Sequence, residues 1–443
     1  MTDGIFLLTR RRLLAGLGCA ILKADIPAMA APAGRQALML QAKPSAAPVG
    51  QGLADTPIWS LLGPTSDAIM RFKRGDDIEV TLENQLPIPI VLNWHGIDGA
   101  AGAEPLASRP PLASGGQDTF VITLRHAGTF LCDLRLLGDG QARPPPARVV
   151  IVQENEPVAA DRDEVLLIED WRLRPDGSAI APGSDAGDAI AHYTVNGRPA
   201  PDFSIRSNER LRLRIINGCQ RNVIALKIED HPVLVMAIDG QPAEPFPARN
   251  GQLVLAPGTR IDAFIDAARP PGSVSSIVLH DGKVPHPVAR LVTSGAPAIR
   301  SAPLPAAKAL PSNGLPAQLD LRNALRVELT LGAANGSQPH WTRPASLSPT
   351  VAPTFRVKPG RIVMMALTNR ADTPTIFHLH GHHFRLLDRL DDGWKPFWLD
   401  TLVIDAGQTQ RVAFAAEYRG RWLMEALATD WAAPRLLRCY SVE

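Results

Sequence analysis

The sequence predicts an all-β protein built of sandwiches or barrels of short strands. Short apolar or alternating runs, such as residues 211–216 and 362–367, recur between turn residues along most of the chain, which is the pattern of buried and half-buried strands. The 35 glycines and 41 prolines are concentrated in the connections between these runs. No amphipathic pattern long enough for a helix of several turns interrupts them. Together these observations favour a fold class with little or no helix.

The first 30 residues have the composition of a twin-arginine signal peptide. Arginines 10–12 precede an apolar run that ends at Leu22, and Ala28-Met29-Ala30 offers the small residues of a cleavage site. A membrane anchor is the alternative, but the apolar run has only about half of the ~20 residues that a spanning helix needs. We therefore expect export to the periplasm and no stable membrane anchor after cleavage.

Charge is balanced in the mature chain. Removing the four basic and two acidic residues of 1–30 leaves 42 of each sign. Because no excess charge remains, attraction to nucleic acid or to an anionic membrane surface is not expected.

Chain length predicts more than one domain. About 410 residues remain after removal of 1–30, which exceeds what one hydrophobic core usually supports. Connections rich in proline and alanine fall near 153–163 and 295–317. They divide the mature chain into predicted domains at 36–153, 160–294 and 318–443.

Three cysteines, Cys132, Cys219 and Cys439, remain after residues 1–30 are removed. An odd number in an oxidising compartment leaves open either one disulfide or three single thiols. We favour buried single thiols because free cysteine is among the most buried residue types.

The most distinctive segment spans residues 374–384 and contains His378, His380, His382 and His383, four of the eleven histidines. In a strand, His378 and His380 point to the same face because side chains alternate. Two adjacent imidazoles are typical of a metal site, although a histidine-rich strand without metal is the alternative. His382 and His383 are left unassigned. Six histidines stand singly and are expected to be surface or core residues: His126, His192, His231, His280, His286 and His340.

Three further segments follow apolar runs: Asn93-Trp94-His95-Gly96, Asp133-Leu134-Arg135 and Glu425-Ala426-Leu427. With the 374–384 segment, they resemble the four ligand segments of the multicopper oxidase family, and Asp400-Thr401 and Gly420-Arg421-Trp422 extend the likeness. The resemblance covers nearly the whole mature chain. It implies three consecutive cupredoxin-like Greek-key β-barrel domains, as in laccases.

The resemblance also indicates which residues stand at the copper-binding positions. The family's type 1 copper takes two histidines, a cysteine and often a methionine, and the corresponding positions here are Thr375, Ala426, Trp431 and Leu436. Its trinuclear copper cluster takes eight histidines, three of which remain as His95, His378 and His380. The other five positions carry Asn93, Asp133, Arg135, Glu425 and Leu427. The resemblance therefore implies that most copper ligands are replaced, with no catalytic residue and no bound cofactor expected.

Two arrangements of the remaining side chains are open. In the first, Arg135 fills the space of the metal and pairs with Asp133 and Glu425, so that a guanidinium balances the charge. In the second, one divalent ion, Cu or Zn, is held by imidazole and carboxylate ligands. The candidate ligands are His95, His378, His380, Asp133 and Glu425.

Ligand replacement and twin-arginine export together resemble the SufI/FtsP-type periplasmic members of the family, which are associated with cell division. This resemblance predicts a non-catalytic scaffold or binding protein with periplasmic or cell-division proteins as partners. The alternative is an enzyme, either a laccase-like oxidoreductase that reduces O2 or a mononuclear metal enzyme.

Overall fold

The computed structural model describes residues 35–50, 52–64, 69–141, 143–332, 340–387 and 394–443. The predicted signal peptide at 1–30 lies outside the described residues. Within the described ranges, no helix has both the length and the apolar character needed to cross a membrane.

The first part of the chain forms two four-stranded sheets, with strand orders β2-β1-β4-β6 and β3-β8-β7-β5. Their strands are β1 Arg35–Ala47, β2 Thr56–Leu62, β3 Ile69–Lys73, β4 Asp77–Asn84, β5 Asn93–His95, β6 Gln117–Thr123, β7 Gly128–Asp133 and β8 Arg148–Gln153.

The middle part forms a six-stranded sheet, β10-β9-β12-β17-β14-β15, and a five-stranded sheet, β11-β19-β18-β13-β16. Their strands are β9 Arg162–Arg172, β10 Ala191–Val195, β11 Asp202–Ile205, β12 Arg210–Asn217, β13 Ile224–Ile228, β14 Leu234–Ile238, β15 Gln241–Pro247, β16 Gln252–Leu255, β17 Arg260–Asp266, β18 Val274–His280 and β19 Pro285–Thr293.

The last part forms two five-stranded sheets, β20-β22-β27-β24-β25 and β21-β29-β28-β23-β26. Their strands are β20 Leu325–Leu331, β21 Arg356–Val357, β22 Ile362–Asn369, β23 Thr375–Leu379, β24 Phe384–Leu387, β25 Trp394–Leu399, β26 Thr401–Ile404, β27 Thr409–Ala415, β28 Gly420–Ala428 and β29 Arg435–Val442. The described helical turns are all of the 3-10 type: Ala101–Ala103, Arg135–Leu137, Arg249–Gly251 and Pro344–Ser346. The predicted all-β fold class is confirmed.

Alternation of side chains explains how each pair of sheets encloses a core. In β4 and β22 every second residue is buried, and Ile78, Val80 and Leu82 of β4 pack into the first core. Strand β12 is buried along its whole length. Leu211, Leu213 and Ile215 enter the second core, whereas Arg212 and Arg214 on the opposite face bond Asp262.

Strand register determines which residues of the first and last parts become neighbours. Strand β5 pairs with β7 so that Asn93 lies opposite Asp133. Strand β23 pairs with β28 so that His378 lies opposite Glu425. The segments singled out in the sequence therefore lie on paired strands.

Gly381, inside the histidine-rich segment, offers a test of packing. Its φ is +74°, and a Cβ there would press into the buried indole of Trp422, well inside van der Waals contact. We expect Gly381→Ala to lower the free energy of unfolding by about 3 kcal/mol, because left-handed backbone strain adds to overpacking. Gly360→Ala is the matched control: its φ is +79°, but no described atom lies within 4 Å of the added Cβ. The control should lose only about 1 kcal/mol. Denaturant unfolding curves measure both, and equal losses would contradict the packing argument.

Candidate functional site

Strands β5 and β7 of the first part and β23 and β28 of the last part surround a small buried cavity of about 40 Å³. The ionisable side chains around it form a group that we call the first histidine cluster: His95, Asp133, His378, His380, Glu425 and Arg435. Middle-part residues Asn217–Gln220 and Pro257-Gly258 close the cavity. The site is therefore assembled from all three parts of the chain.

Asp133 and His95 form one buried pair of the cluster. His95 Nε2 lies 3.0 Å from Asp133 Oδ2, and the backbone N–H of Arg135 donates to Asp133 Oδ1 at 2.9 Å. Burial alone would raise the pKa of Asp133, but His95 and then Arg135 bring that pKa below its usual range.

Glu425 is the centre of the cluster. Its Oε1 lies 2.7 Å from His380 Nε2 and accepts from Asn93 Nδ2 at 3.2 Å, while its Oε2 forms an ion pair with Arg435 Nη1. Burial would raise the pKa of Glu425, but Arg435 and His380 hold that pKa well below its usual range. The carboxylate is therefore charged, and Arg435 is its principal counter-ion.

His380 is the second cation of this group. Burial would lower its pKa, but Glu104, whose Oε1 lies 2.8 Å from Nδ1, and Glu425 raise the pKa to about 10. The imidazolium lies between two carboxylates: Nε2 hydrogen-bonds Glu425, whereas Nδ1 is close to Glu104 without hydrogen-bond geometry.

His378 differs from His380 in the direction in which its surroundings shift its pKa. Thr401 Oγ1 donates to Asp400 Oδ1 at 2.7 Å and therefore accepts from His378 Nδ1, 3.0 Å away. Nε2 is buried and has no hydrogen-bond partner among the described residues. Burial lowers the pKa of His378 to about 4, so a neutral imidazole presents a lone pair here. Donor atoms of His378, His95 and Glu425 all lie within 4.8 Å of one another.

The five predicted metal-binding residues do not all line the cavity. His95, Asp133, His378 and Glu425 do, whereas His380 reaches the site through its contact with Glu425. His382, which was left unassigned, is a core residue with Nδ1 2.8 Å from the Tyr440 hydroxyl.

The predicted pairing of Arg135 with Asp133 and Glu425 is wrong. Arg135 begins the 3-10 turn that follows β7, and its guanidinium bonds Glu169 and the carbonyl of Gly218, the latter at 2.6 Å. Arg435 is the arginine that pairs with Glu425. No motif marks Arg435 in the sequence, and only the register of the β28–β29 hairpin, which sets Leu427 opposite Arg435, could have indicated it.

The four positions that correspond to type 1 copper ligands in the family lie in the third core or beside it. Ala426 and Leu436 pair across β28 and β29 and pack in the third core with Phe377. Trp431 lies under the guanidinium of Arg172, 5.0 Å from ring centroid to Cζ. Thr375 is buried.

The described cysteines, Cys132, Cys219 and Cys439, occupy none of these positions, and each is free and buried. Burial raises the pKa of the Cys132 and Cys219 thiols, which makes them poor ligands and poor nucleophiles. Across the described ranges, the two groups of side chains with metal-binding geometry contain histidine and carboxylate only.

Comparison with known proteins gives a consistent result. Family models described as multicopper oxidase match residues 156–286 and 320–434. The multicopper oxidase MmcO of Mycobacterium tuberculosis is 26% identical, covering 80% of this chain and 77% of its own length. Laccase-1 of Melanocarpus albomyces is 25% identical over 79% of this chain and 68% of its own length. A crystal structure of a multicopper oxidase from Pseudomonas thermotolerans superposes with a TM-score of 0.79 over 93% of this chain and 100% of that one, at 24% identity.

Replacement of Arg435 tests the buried pair. We expect Arg435→Met to lower the free energy of unfolding by about 3–5 kcal/mol, because Glu425 loses its principal counter-ion while it stays buried. Adding Glu425→Gln should recover more than half of that loss, since the amide oxygen can still accept from His380. Denaturant unfolding of both variants measures the difference.

The matched control is Arg356→Met, which removes an arginine from an exposed pair with Glu443. It should cost less than about 1 kcal/mol. A loss in Arg435→Met no larger than in this control would show that the buried pair has little influence on stability.

Proposed function

Because the chain belongs to the multicopper oxidase family, we propose that it is an exported, non-catalytic member whose cupredoxin fold serves as a scaffold for binding other proteins. The observation that carries the proposal is the pairing of Arg435 with Glu425 inside the first histidine cluster. Two further features, at the type 1 positions and in the cavity, support it.

The type 1 positions lack the chemistry for electron uptake. A blue copper site needs a thiolate together with imidazoles. Ala426 and Leu436 offer only apolar groups, Trp431 an N–H donor and Thr375 a hydroxyl. Copper does not fit these four residues, and without it an electron from a substrate has no entry point.

The charges that line the cavity of the first histidine cluster are also incompatible with three bound copper ions. Arg135 and Arg435 both line it, and a guanidinium cannot be deprotonated in a protein. Two like charges 4 Å apart repel by about 4 kcal/mol at an effective dielectric constant of 20. The positive charge that copper would bring beside Glu425 is thus already supplied by Arg435 and His380, so the site does not suit the trinuclear copper cluster of an oxidase.

The N-terminal segment supports the proposed cellular location and, with it, the proposed partners. Arginines 10–12 support export through the twin-arginine route. The partners proposed are therefore periplasmic proteins, in particular those of cell division, as the SufI/FtsP-type resemblance implies. Co-purification with division proteins and filamentation of a deletion strain under stress would support this assignment. An exclusively cytoplasmic protein would contradict it.

A second candidate is a mononuclear metal site made by His95, His378 and Glu425. The specific observation in its favour is His378 Nε2, a buried lone pair with no partner in the described part of the chain. Imidazole and carboxylate ligands suit Zn²⁺ or Cu²⁺. The ion would have to share Glu425 with Arg435, which argues against tight binding.

Metal analysis separates these functions. In protein produced in copper- and zinc-supplemented cells, the metal held by the first histidine cluster is the difference in content between the wild-type chain and His378→Ala. We expect this difference to stay below about a tenth of an equivalent, because Arg435 supplies the counter-charge. We also expect no blue absorption and no oxygen uptake with a phenolic substrate.

A catalytically active multicopper oxidase, prepared in parallel, is the positive control. About four copper atoms per chain with a blue band would overturn the scaffold proposal. One colourless equivalent that disappears in His378→Ala would instead establish the mononuclear site.

A further inference from the structure

A second group of ionisable side chains lies where the three parts of the chain meet. We call Asp98, His126 and His383 the second histidine cluster. Asp98 follows β5, His126 precedes β7 and His383 precedes β24, while Gln241 of β15 contacts both histidines. All four residues are at least nine-tenths buried. The first histidine cluster uses none of them.

His383 is held as metal-binding histidines are held. Its Nε2 lies 2.9 Å from the backbone carbonyl oxygen of Asp239, and because a carbonyl only accepts, Nε2 carries the hydrogen. Nδ1 then faces Asp98, at 3.0 Å from Oδ1 and 2.9 Å from Oδ2. An imidazole fixed by an N–H to a backbone carbonyl, with its other nitrogen directed at a ligand position, is the usual second-shell arrangement in metal sites.

The orientation of Gln241 determines what faces the two histidines. Asn313 exchanges two hydrogen bonds with the backbone of Ala127, so its Nδ2 must donate to Gln241 Oε1, 2.9 Å away. Gln241 Nε2 therefore turns toward His126 Nδ1 at 3.2 Å and His383 Nδ1 at 3.5 Å. The neutral amide can donate a hydrogen bond to these nitrogens, but it brings no positive charge to the cluster.

The cluster consequently needs a cation. His126 Nδ1 lies 3.3 Å from Asp98 Oδ2, and the carboxylate oxygens and the two Nδ1 atoms are all acceptors when unprotonated. Either a proton or a metal ion must lie among them.

We propose that Asp98, His126 and His383 bind one divalent transition-metal ion, preferably Zn²⁺. Two imidazoles and one carboxylate form an established zinc ligand set. The donor separations of 2.9 and 3.3 Å are close to the ~3.3 Å edge of a tetrahedron with metal–ligand bonds of 2.0–2.1 Å. A cavity of about 10 Å³ is lined by Asp98 and His383, although not by His126, and has about the size of one water.

The position of the ion predicts its effect. Its ligands come from the first and last parts of the chain, and the carbonyl of Asp239 supports one of them from the middle part. Metal binding would therefore connect all three parts and stabilise the folded state. Because the site is buried, the ion must be acquired as the chain folds rather than by later exposure.

The test measures zinc in the full chain produced in zinc-supplemented cells. We expect about one equivalent in the wild type, and affinity lower by more than about tenfold in His383→Ala and Asp98→Asn. His95→Ala, in the first histidine cluster, and His280→Ala, at an exposed histidine, should keep the ion. His126→Gln retains a polar side chain of similar size and replaces the other variants if they fail to fold.

Thermal unfolding supplies the second readout. Removing zinc by refolding in a chelator should lower the Tm of the wild type and of His95→Ala, but leave that of His126→Gln unchanged. Less than about a tenth of an equivalent in zinc-grown wild-type protein would overturn the proposal. So would zinc that is lost from His95→Ala and kept by His383→Ala, because that result assigns the ion to the first histidine cluster.

Discussion

The ion pair between Glu425 and Arg435 is the interaction on which the chemistry of this protein depends. Charged side chains are costly to bury, and the cost is offset only when each charge has a close partner of opposite sign. Glu425 has two such partners, Arg435 and the imidazolium of His380. Protein groups alone therefore balance the charge of Glu425. This is consistent with the general rule that a fold does not by itself imply an activity.

A layer of buried polar side chains connects the two histidine clusters. Arg260 is fully buried and bonds Asp400 at 3.0 and 2.5 Å, and it also bonds the backbone carbonyl of Asp239. Through Thr401, Asp400 orients His378, and the carbonyl of Asp239 orients His383. Burial raises the pKa of Asp239, whereas Arg260 and His378 together outweigh burial and lower that of Asp400, so the pair carries its negative charge on Asp400. The two clusters share this support but not their ligands.

Sequence reasoning recovered the fold because its signals are local. The alternation of buried residues in β4 and β22 and the turn glycines are visible in a short window. His95, Asp133, His378 and Glu425 were predicted to share a site from the family resemblance rather than from a local signal, and all four line the cavity. The domain boundaries and the signal peptide remain predictions.

The errors and omissions have physical causes that a short window does not contain. Arg135 lies two residues after the end of β7, in a 3-10 turn that directs its side chain to Glu169. Arg435 depends on a hairpin register. The second histidine cluster brings together His383 and Asp98, which are separated by 285 positions, and His126, which looks isolated in the sequence. Such residues become neighbours only through tertiary structure.

Local pairing of Glu425 with Arg435 also constrains how this protein can evolve. The family resemblance implies histidine at the position of Glu425 in the copper-binding oxidases. A change of Glu425 to histidine would leave the Arg435 guanidinium buried without its carboxylate. At about 3–5 kcal/mol, that penalty is a large part of the 5–15 kcal/mol by which a typical domain is stable. Changing Arg435 first carries a similar penalty. Return to a copper site by single substitutions must therefore pass through a variant whose free energy of unfolding is lower by about 3–5 kcal/mol. This cost favours retention of the Glu425–Arg435 pair over recovery of the copper ligand.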